Sequence, residues 1–210
     1  MQKEERQKKR YRKIVVGIDQ SYKNTGISIA ADGNLIAVGS VCLQSFKTNT
    51  EKRKELSERL AKVLEKALEK AENVEVIFER IRLYSQGFIN IDYIKSIGAL
   101  NATIIDTCRK FGLGTYSVDT RAWKAQVIGS SKPKKNDYGV SEEKWGTICW
   151  VISKGFESNI LMEVSKRREK GVIIKDGKRY VYNDDAADSA GIAMYGFVRK
   201  GLQNLKEEKG

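Results

Sequence analysis

Apolar residues along this chain fall into short blocks with two different periods. Residues 14–19 and 26–31 are β-rich apolar runs; Asp32-Gly33 reads as a hairpin turn, and a third alternating run covers 34–43. A helical period takes over at roughly 50–72, where Leu56, Leu60, Val63, Leu64, Ala67, Leu68 and Ala71 share one face and Lys and Glu cover the other. The run 74–79 predicts a fourth strand. Ile94, Ile97, Ala102, Ile105 and Cys108 then predict a helix over 90–110, followed by a fifth strand near 114–118 and a short helix around 120–128. The segment SSKPKKNDYG holds the only proline and reads as a mobile basic loop. After it, the spacing of Trp145, Ile148, Cys149 and Ile152 predicts a helix from near Ser141, with Trp145 and Trp150 in the core. A further helix over 157–168, a small hairpin (172–175 and 179–182, turning at Asp176-Gly177) and a closing helix from about 185 to 205 complete the pattern.

The order β-β-β-α-β-α-β-α, with more helices behind it, implies an α/β domain: a mixed sheet flanked by helices on both faces. Its first three strands are antiparallel and the later ones return by helical crossovers. With 210 residues, no internal repeat and no linker, one domain is expected. Residues 1–13 carry seven basic residues and almost nothing apolar, so they are expected to form a flexible arm, either touching phosphates or simply solubilising.

The composition, 40% hydrophobic and 31% charged, is that of a globular protein. No apolar stretch approaches the roughly 20 residues a membrane span requires, and the N-terminus is too polar for a signal peptide, so a cytoplasmic location is expected. Cys42, Cys108 and Cys149 are odd in number, widely spaced and set in apolar-patterned segments; they read as buried, inert thiols rather than a disulfide framework or zinc site. Lysine and arginine outnumber acids 39 to 27, a net charge of +12 that suits a polyanionic partner.

Against that basic background, four carboxylates sit where apolar residues would be expected. Asp19 ends the first apolar run and Glu79 the fourth, while Asp185 and Asp188 open the Ala-rich closing helix within DDAADSAGIAMYG. Acids at the ends of buried strands are costly unless a cation or hydrogen bonds compensate them. The chain has no histidine, so an all-oxygen site for a hard metal is the natural use of these residues. Asp185 and Asp188 are three apart on a helix and share a face. Together the four acids could hold two Mg²⁺ ions about 4 Å apart, an arrangement suited to in-line phosphodiester hydrolysis. The competing reading has Asp184 or Asp185 capping the helix and Asp19 and Glu79 paired with lysines.

Read together, these segments resemble the RuvC-type Holliday junction resolvases of the RNase H-like superfamily. VVGIDQSYKNTGISIA matches that family's GID strand, turn and TG; VIFERIRLYSQGFINIDYIKSIGALNA matches its second acid, loop and helix; DAAD stands letter for letter at 185–188. The resemblance implies an RNase H-like five-stranded mixed sheet flanked by helices, with Asp19, Glu79, Asp185 and Asp188 as metal ligands. It implies Mg²⁺ as cofactor, with Mn²⁺ able to substitute. The family also places one lysine five residues before a glycine and another six after it. Lys124, Gly129 and Lys135 have that spacing, with Lys132 and Lys134 close enough to compete for the second role and to contact DNA. Tyr84 and Phe88 lie in the loop where the family carries an aromatic that stacks on an unpaired base; core packing or a dimer contact is the alternative.

The resemblance therefore implies a crossover junction endodeoxyribonuclease acting on branched, four-way-junction DNA. It implies a homodimer, formed through the helix at 90–110 with Gly98-Ala99 at its contact. Alternatives are an RNase H-like nuclease acting on RNA–DNA hybrid or other branched DNA, and a non-catalytic junction-binding protein. An actin-like ATPase would need a second half with its own phosphate motif, which this chain does not show. Three departures stand out: Gln20-Ser21 replaces the family's Pro-Gly after GID, the region before DAAD is enlarged by the hairpin at 172–182, and the basic arm is additional. They suggest a divergent branch of viral or mobile-element origin.

Overall fold

In the computed structural model, residues 10–80, 91–129, 142–164 and 172–199 are described. Three antiparallel strands, β1 (Tyr11–Asp19), β2 (Asn24–Ala31) and β3 (Asn34–Cys42), lead into helix α1 (Asn49–Lys70). The chain continues through β4 (Ala71–Glu79), α2 (Ile91–Lys110), β5 (Thr115–Val118) and α3 (Thr120–Val127). The strands form one sheet in the order β3-β2-β1-β4-β5, with β4 parallel to both β1 and β5. A mixed, helix-flanked five-stranded sheet is what the pattern predicts. β1 begins at Tyr11, inside the stretch expected to be a flexible arm, because residues 11–18 pair with β4 from Ala71 onward.

Side chains alternate across β1, and this alternation divides the core. Ile14, Val16 and Ile18 pack against Leu56, Leu60 and Leu64 of α1 and Ile97, Leu100 and Ile104 of α2. Val15 belongs to the opposite face, with Ile77, Trp123 and Ile192. On α2 the buried stripe is Ile97, Leu100, Ile104, Thr107 and Cys108, so Ala102, expected on that stripe, lies exposed. Burial pushes the Cys108 thiol up to about 11, in keeping with an inert core cysteine, whereas Cys42 is exposed and Cys149 only partly covered.

Beyond α3, the chain forms α4 (Glu142–Ser153), a single turn α5 (Glu157–Ile160), three short strands and the closing helix α6 (Asp184–Val198). The helix expected over 157–168 stops at Ile160. Residues Leu161–Glu163 instead become β6, which pairs antiparallel with β8 (Lys178–Tyr182), while β7 (Ile173–Lys175) pairs with the other edge of β8. Tertiary pairing overrides local preference here, and a third strand supports a hairpin that would be marginal alone. α6 ends at Val198 rather than near 205: Arg199 leaves the helical region while its N–H still reaches the Tyr195 carbonyl.

Two glycines let α6 lie directly on the sheet. A Cβ on Gly17 would overlap the backbone of Ser189 and Ala193, and one on Gly26 would overlap the Asp185 carbonyl. Gly26 is also the β2 partner of Asp19. The GID and TG signatures thus have a packing reason: they bring the start of α6 against the end of β1.

Candidate active site

The same period of two that divides the core aims the first two acids. Asp19 follows Val15 and Gly17 on the α6 face of β1, and Glu79 follows Ile77 on that face of β4. Asn183 delivers the other two. Its Oδ1 accepts from the Ala186 N–H at 3.1 Å, its Nδ2 donates to Ser40 Oγ at 2.7 Å, and its own N–H donates to the Ile160 carbonyl at 2.7 Å. Asn183, not Asp184 or Asp185, therefore caps α6. The acids are left in its first turns, where the helix dipole favours negative charge.

Three of the four carboxylates are held out of their usual range by burial and by one another's charge, with Glu79 acting as a neighbour. Burial holds Asp19 well above the usual carboxylate range, and the charges of Asp188, Glu79 and Asp185 push it further, against a smaller opposing pull from Lys144. Asp185 is pushed up to about 6 by burial, with Lys144 opposing and Asp188 adding to the rise. Burial also raises Asp188, against the pull of Lys124, and Glu79 raises it further. Lys124 Nζ stands 3.6 Å from Asp188 Oδ2 and 5.1 Å from the centre of the Trp123 ring. The nearby Thr147 side chain eases the ionisation of Asp188. Both Thr147 Oγ1 and Asp188 Oδ1 are buried, and neither meets the geometry of a full hydrogen bond.

Glu79 is held from α3. The Thr120 hydroxyl donates to Oε1, and the indole N–H of fully buried Trp123 donates to Oε2 at 3.3 Å. Lys144, near the start of α4, forms an ion pair with Asp184 and stays half-exposed while its charge acts on Asp19, Asp185 and Asp188. Thr120, Trp123, Lys144 and Asn183 were not singled out from the sequence. Trp123 offered one signal, since a buried indole N–H requires an acceptor. The first two acids and the DAAD pair are brought to one end of the sheet, with Lys124 beside them. Tyr84, Phe88, Lys132, Lys134 and Lys135 lie outside the described residues.

Among the described residues, no three acidic or cysteine side chains gather tightly enough to enclose a metal ion as they stand. Glu79, Asp188 and Asp184 are each engaged by a protein donor instead. The donor set nevertheless fits a hard divalent cation: it is all oxygen, it is short of compensating charge, and it includes the orphaned Asp188 Oδ1. Asp19, Glu79, Asp185 and Asp188 are the residues that would hold such ions.

The fold has solved relatives. The chain matches Thermus thermophilus RuvC in complex with a Holliday junction substrate at a TM-score of 0.52 and 15% identity, over 88% of this chain and 94% of that one. A second Thermus thermophilus RuvC structure matches at 0.51 and 16%, over 88% and 95%. The yeast mitochondrial Holliday junction resolvase Ydc2 matches at 0.50 and 17%, over 89% and 78%. No family model and no curated protein matches the sequence. The chain thus has the RuvC-type, RNase H-like fold, at a sequence distance where only the fold carries over. None of these structures bears on a viral or mobile-element origin.

No helix among the described residues is long and apolar enough to cross a membrane.

Proposed function

We propose that this protein is a metal-dependent, structure-selective DNA endonuclease that resolves four-way junctions by paired phosphodiester hydrolysis. The observation that carries the reading is the charge-frustrated cluster of Asp19, Glu79, Asp185 and Asp188 on a RuvC-type fold. Burial and repulsion act against ionisation of Asp19, Asp185 and Asp188 there, and among the described residues Lys124, Lys144 and Lys23 give partial relief. Such clusters of strongly shifted groups in a cleft are typical of catalytic centres.

When bound at these carboxylates, divalent ions would supply an activated water and offset charge on the departing oxygen. The chain's own residues do the rest. Thr120 and Trp123 fix the Glu79 carboxylate. Lys124 lies on the buried side of the cluster and Lys144 at its half-exposed edge, where each can approach the scissile phosphate and stabilise its developing charge. Lys135 would add to this pair, and Tyr84, Phe88, Lys132 and Lys134 would contact the DNA.

Cutting two opposed strands requires two sites related by a twofold axis, and hence a homodimer. The side of α2 turned away from the core supports that expectation. Ile91 is 60% exposed, Ala102 is exposed, and a Cβ on Gly98 would meet nothing within 4 Å, so a second helix could approach closely.

The test is incubation of purified protein with a labelled mobile four-way junction and, in parallel, an RNA–DNA hybrid, with and without Mg²⁺ or Mn²⁺. Paired symmetric nicks on the junction alone, in metal alone, are expected. Cleavage of the hybrid instead would reassign the substrate, and binding without metal-dependent nicking would leave a junction-binding protein.

A further inference from the structure

Next to the acidic cluster, a cavity of about 240 Å³ opens around the end of the sheet toward α2, lined by Asp19, Gln20, Glu79, Arg80, Tyr93, Ile97 and Thr120. Its lining is mixed because two strand ends and one helix meet there. Asp19 and Glu79 close their strands, and Gln20 and Arg80, just past the strand ends, line the same cavity with Tyr93 and Ile97 of α2. There Tyr93, 60% exposed, stands one helical turn from buried Ile97. One wall is therefore aromatic and apolar, and the rim is polar. Two acids disfavour an anionic occupant and Arg80 disfavours a cationic one. A neutral planar ring with a polar edge suits the cavity.

Gln20 supplies the polar specificity. Its Nε2 donates to the Glu79 carbonyl at 2.6 Å, which settles the amide orientation, because a carbonyl can only accept. Its Oε1 is left buried without a hydrogen-bond partner. A buried acceptor without a partner is unfavourable until a donor arrives. Gln20 is also one of the two positions where this chain departs from the Pro-Gly of the family it resembles.

We propose that this cavity is a base-recognition pocket that accepts a nucleotide beside the scissile phosphate and selects bases carrying an exocyclic amino group. The proposal rests on the nuclease reading for its substrate class. The base stacks on Tyr93, its amino group donates to Gln20 Oε1, and Arg80 reaches the ring carbonyl or the adjoining phosphate. Adenine, cytosine and guanine carry the donor. Thymine, which presents a carbonyl at that edge, would set acceptor against acceptor. Unstacking a base is least costly where it is already unpaired, as at a branch point.

The experiment uses a set of mobile four-way junctions that differ only in the nucleotide flanking each mapped cut. Within each protein the readout is the ratio of cleavage at amino-bearing bases to cleavage at thymine, so overall rate does not enter. Wild type should favour amino-bearing bases by about fivefold or more, and Gln20→Met should bring the ratio toward one. Equal cutting at all four bases by wild type, or an unchanged ratio in Gln20→Met, overturns the proposal. A second measurement needs no catalysis: 2-aminopurine, placed in turn at each branch-point position, reports stacking by fluorescence quenching in metal-free buffer. Quenching by wild type and Tyr93→Phe but not by Tyr93→Ala supports the pocket; unchanged emission with wild type overturns it. Quenching without cleavage would sink the nuclease reading and keep the pocket. Cleavage without base preference or quenching would do the reverse.

Discussion

Glu75 and Glu79 lie four residues apart on the same face of β4, and their surroundings could hardly differ more. Glu75 receives Arg199 Nη2 at 2.8 Å and Lys13 Nζ at 3.0 Å. Lys13 also donates to the Gly196 carbonyl at 3.1 Å, and Arg199 lies 4.8 Å from the centre of the Tyr116 ring. One acid and two cations thus clamp the end of α6 to β1, β4 and β5. Around Glu79 the balance is inverted: among the described residues, four acids face Lys124, Lys144 and the weaker pull of Lys23, and one carboxylate oxygen has no hydrogen-bond partner. Both clusters are partly buried, so burial does not separate them. Compensation does: the balanced cluster ties elements of the fold together, and the unbalanced one fits the proposed chemistry, in which a cation would supply the missing charge.

The comparison is broken most severely by removing a charge from the unbalanced end. Asp19→Asn should lower junction cleavage by a factor on the order of 10³ while leaving junction binding intact, measured by single-turnover cutting and gel shift. The same change should raise the melting temperature of the metal-free protein by roughly 2–4 °C, because it removes a charge that burial and three neighbours oppose. A variant that loses activity yet gains stability would set this end apart from an ordinary structural ion pair.

Removing cations comes next. Lys124→Ala should slow cleavage about 10²-fold, since this lysine lies 3.6 Å from Asp188 on the buried side. Lys144→Ala should cost less, because its side chain is half-exposed and engaged with Asp184. Full activity in both variants would remove the lysines from the proposed chemistry.

Protonation sharpens the contrast further. Asp185 has an ordinary value of 3.8 unfolded and about 6 in the fold, so the folded state binds the proton more tightly. Its contribution to stability is then fully present below pH 4 and is lost as pH rises toward 6. Asp19, raised in the same direction, adds to the loss. The stability advantage of Asp185→Asn over wild type should therefore grow between pH 4 and pH 6 in chelator, and Mg²⁺ should erase it by stabilising wild type alone. A pH-independent difference in thermal melts would contradict the assigned cause.

Much of this site could be read from residue order because strand parity and sequence position suffice to place it. Asp19 and Glu79 close apolar runs whose alternation fixes their face, and DAAD sits at a helix start. What escaped depends on contacts between segments far apart in the chain. Trp123 meets Glu79 only because the turn from β5 to α3 folds back over the sheet, and Lys144 reaches the cluster because α4 packs across α6. Asn183 caps α6 in preference to its acidic neighbours because Ser40 of β3 and Ile160 engage it from outside the helix. The strand at Leu161–Glu163 exists through its pairing with β8, which no local period announces.

The smallest effect on cleavage belongs to the balanced end, and there it should separate stability from activity in the opposite sense. Glu75→Gln keeps the side-chain shape but leaves Lys13 and Arg199 facing a neutral amide, both partly buried and each still held by a second contact. Loss of the charge from these hydrogen bonds should cost about 1–3 kcal/mol in chemical denaturation. Below the unfolding transition, cleavage of a four-way junction should stay within about twofold of wild type, because Glu75 lies far along β4 from the Asp19 end of the sheet. If Glu75→Gln instead impaired cleavage as strongly as a lysine of the acidic cluster, the two ends of β4 would be coupled through α6, and the division of labour between Glu75 and Glu79 would fail.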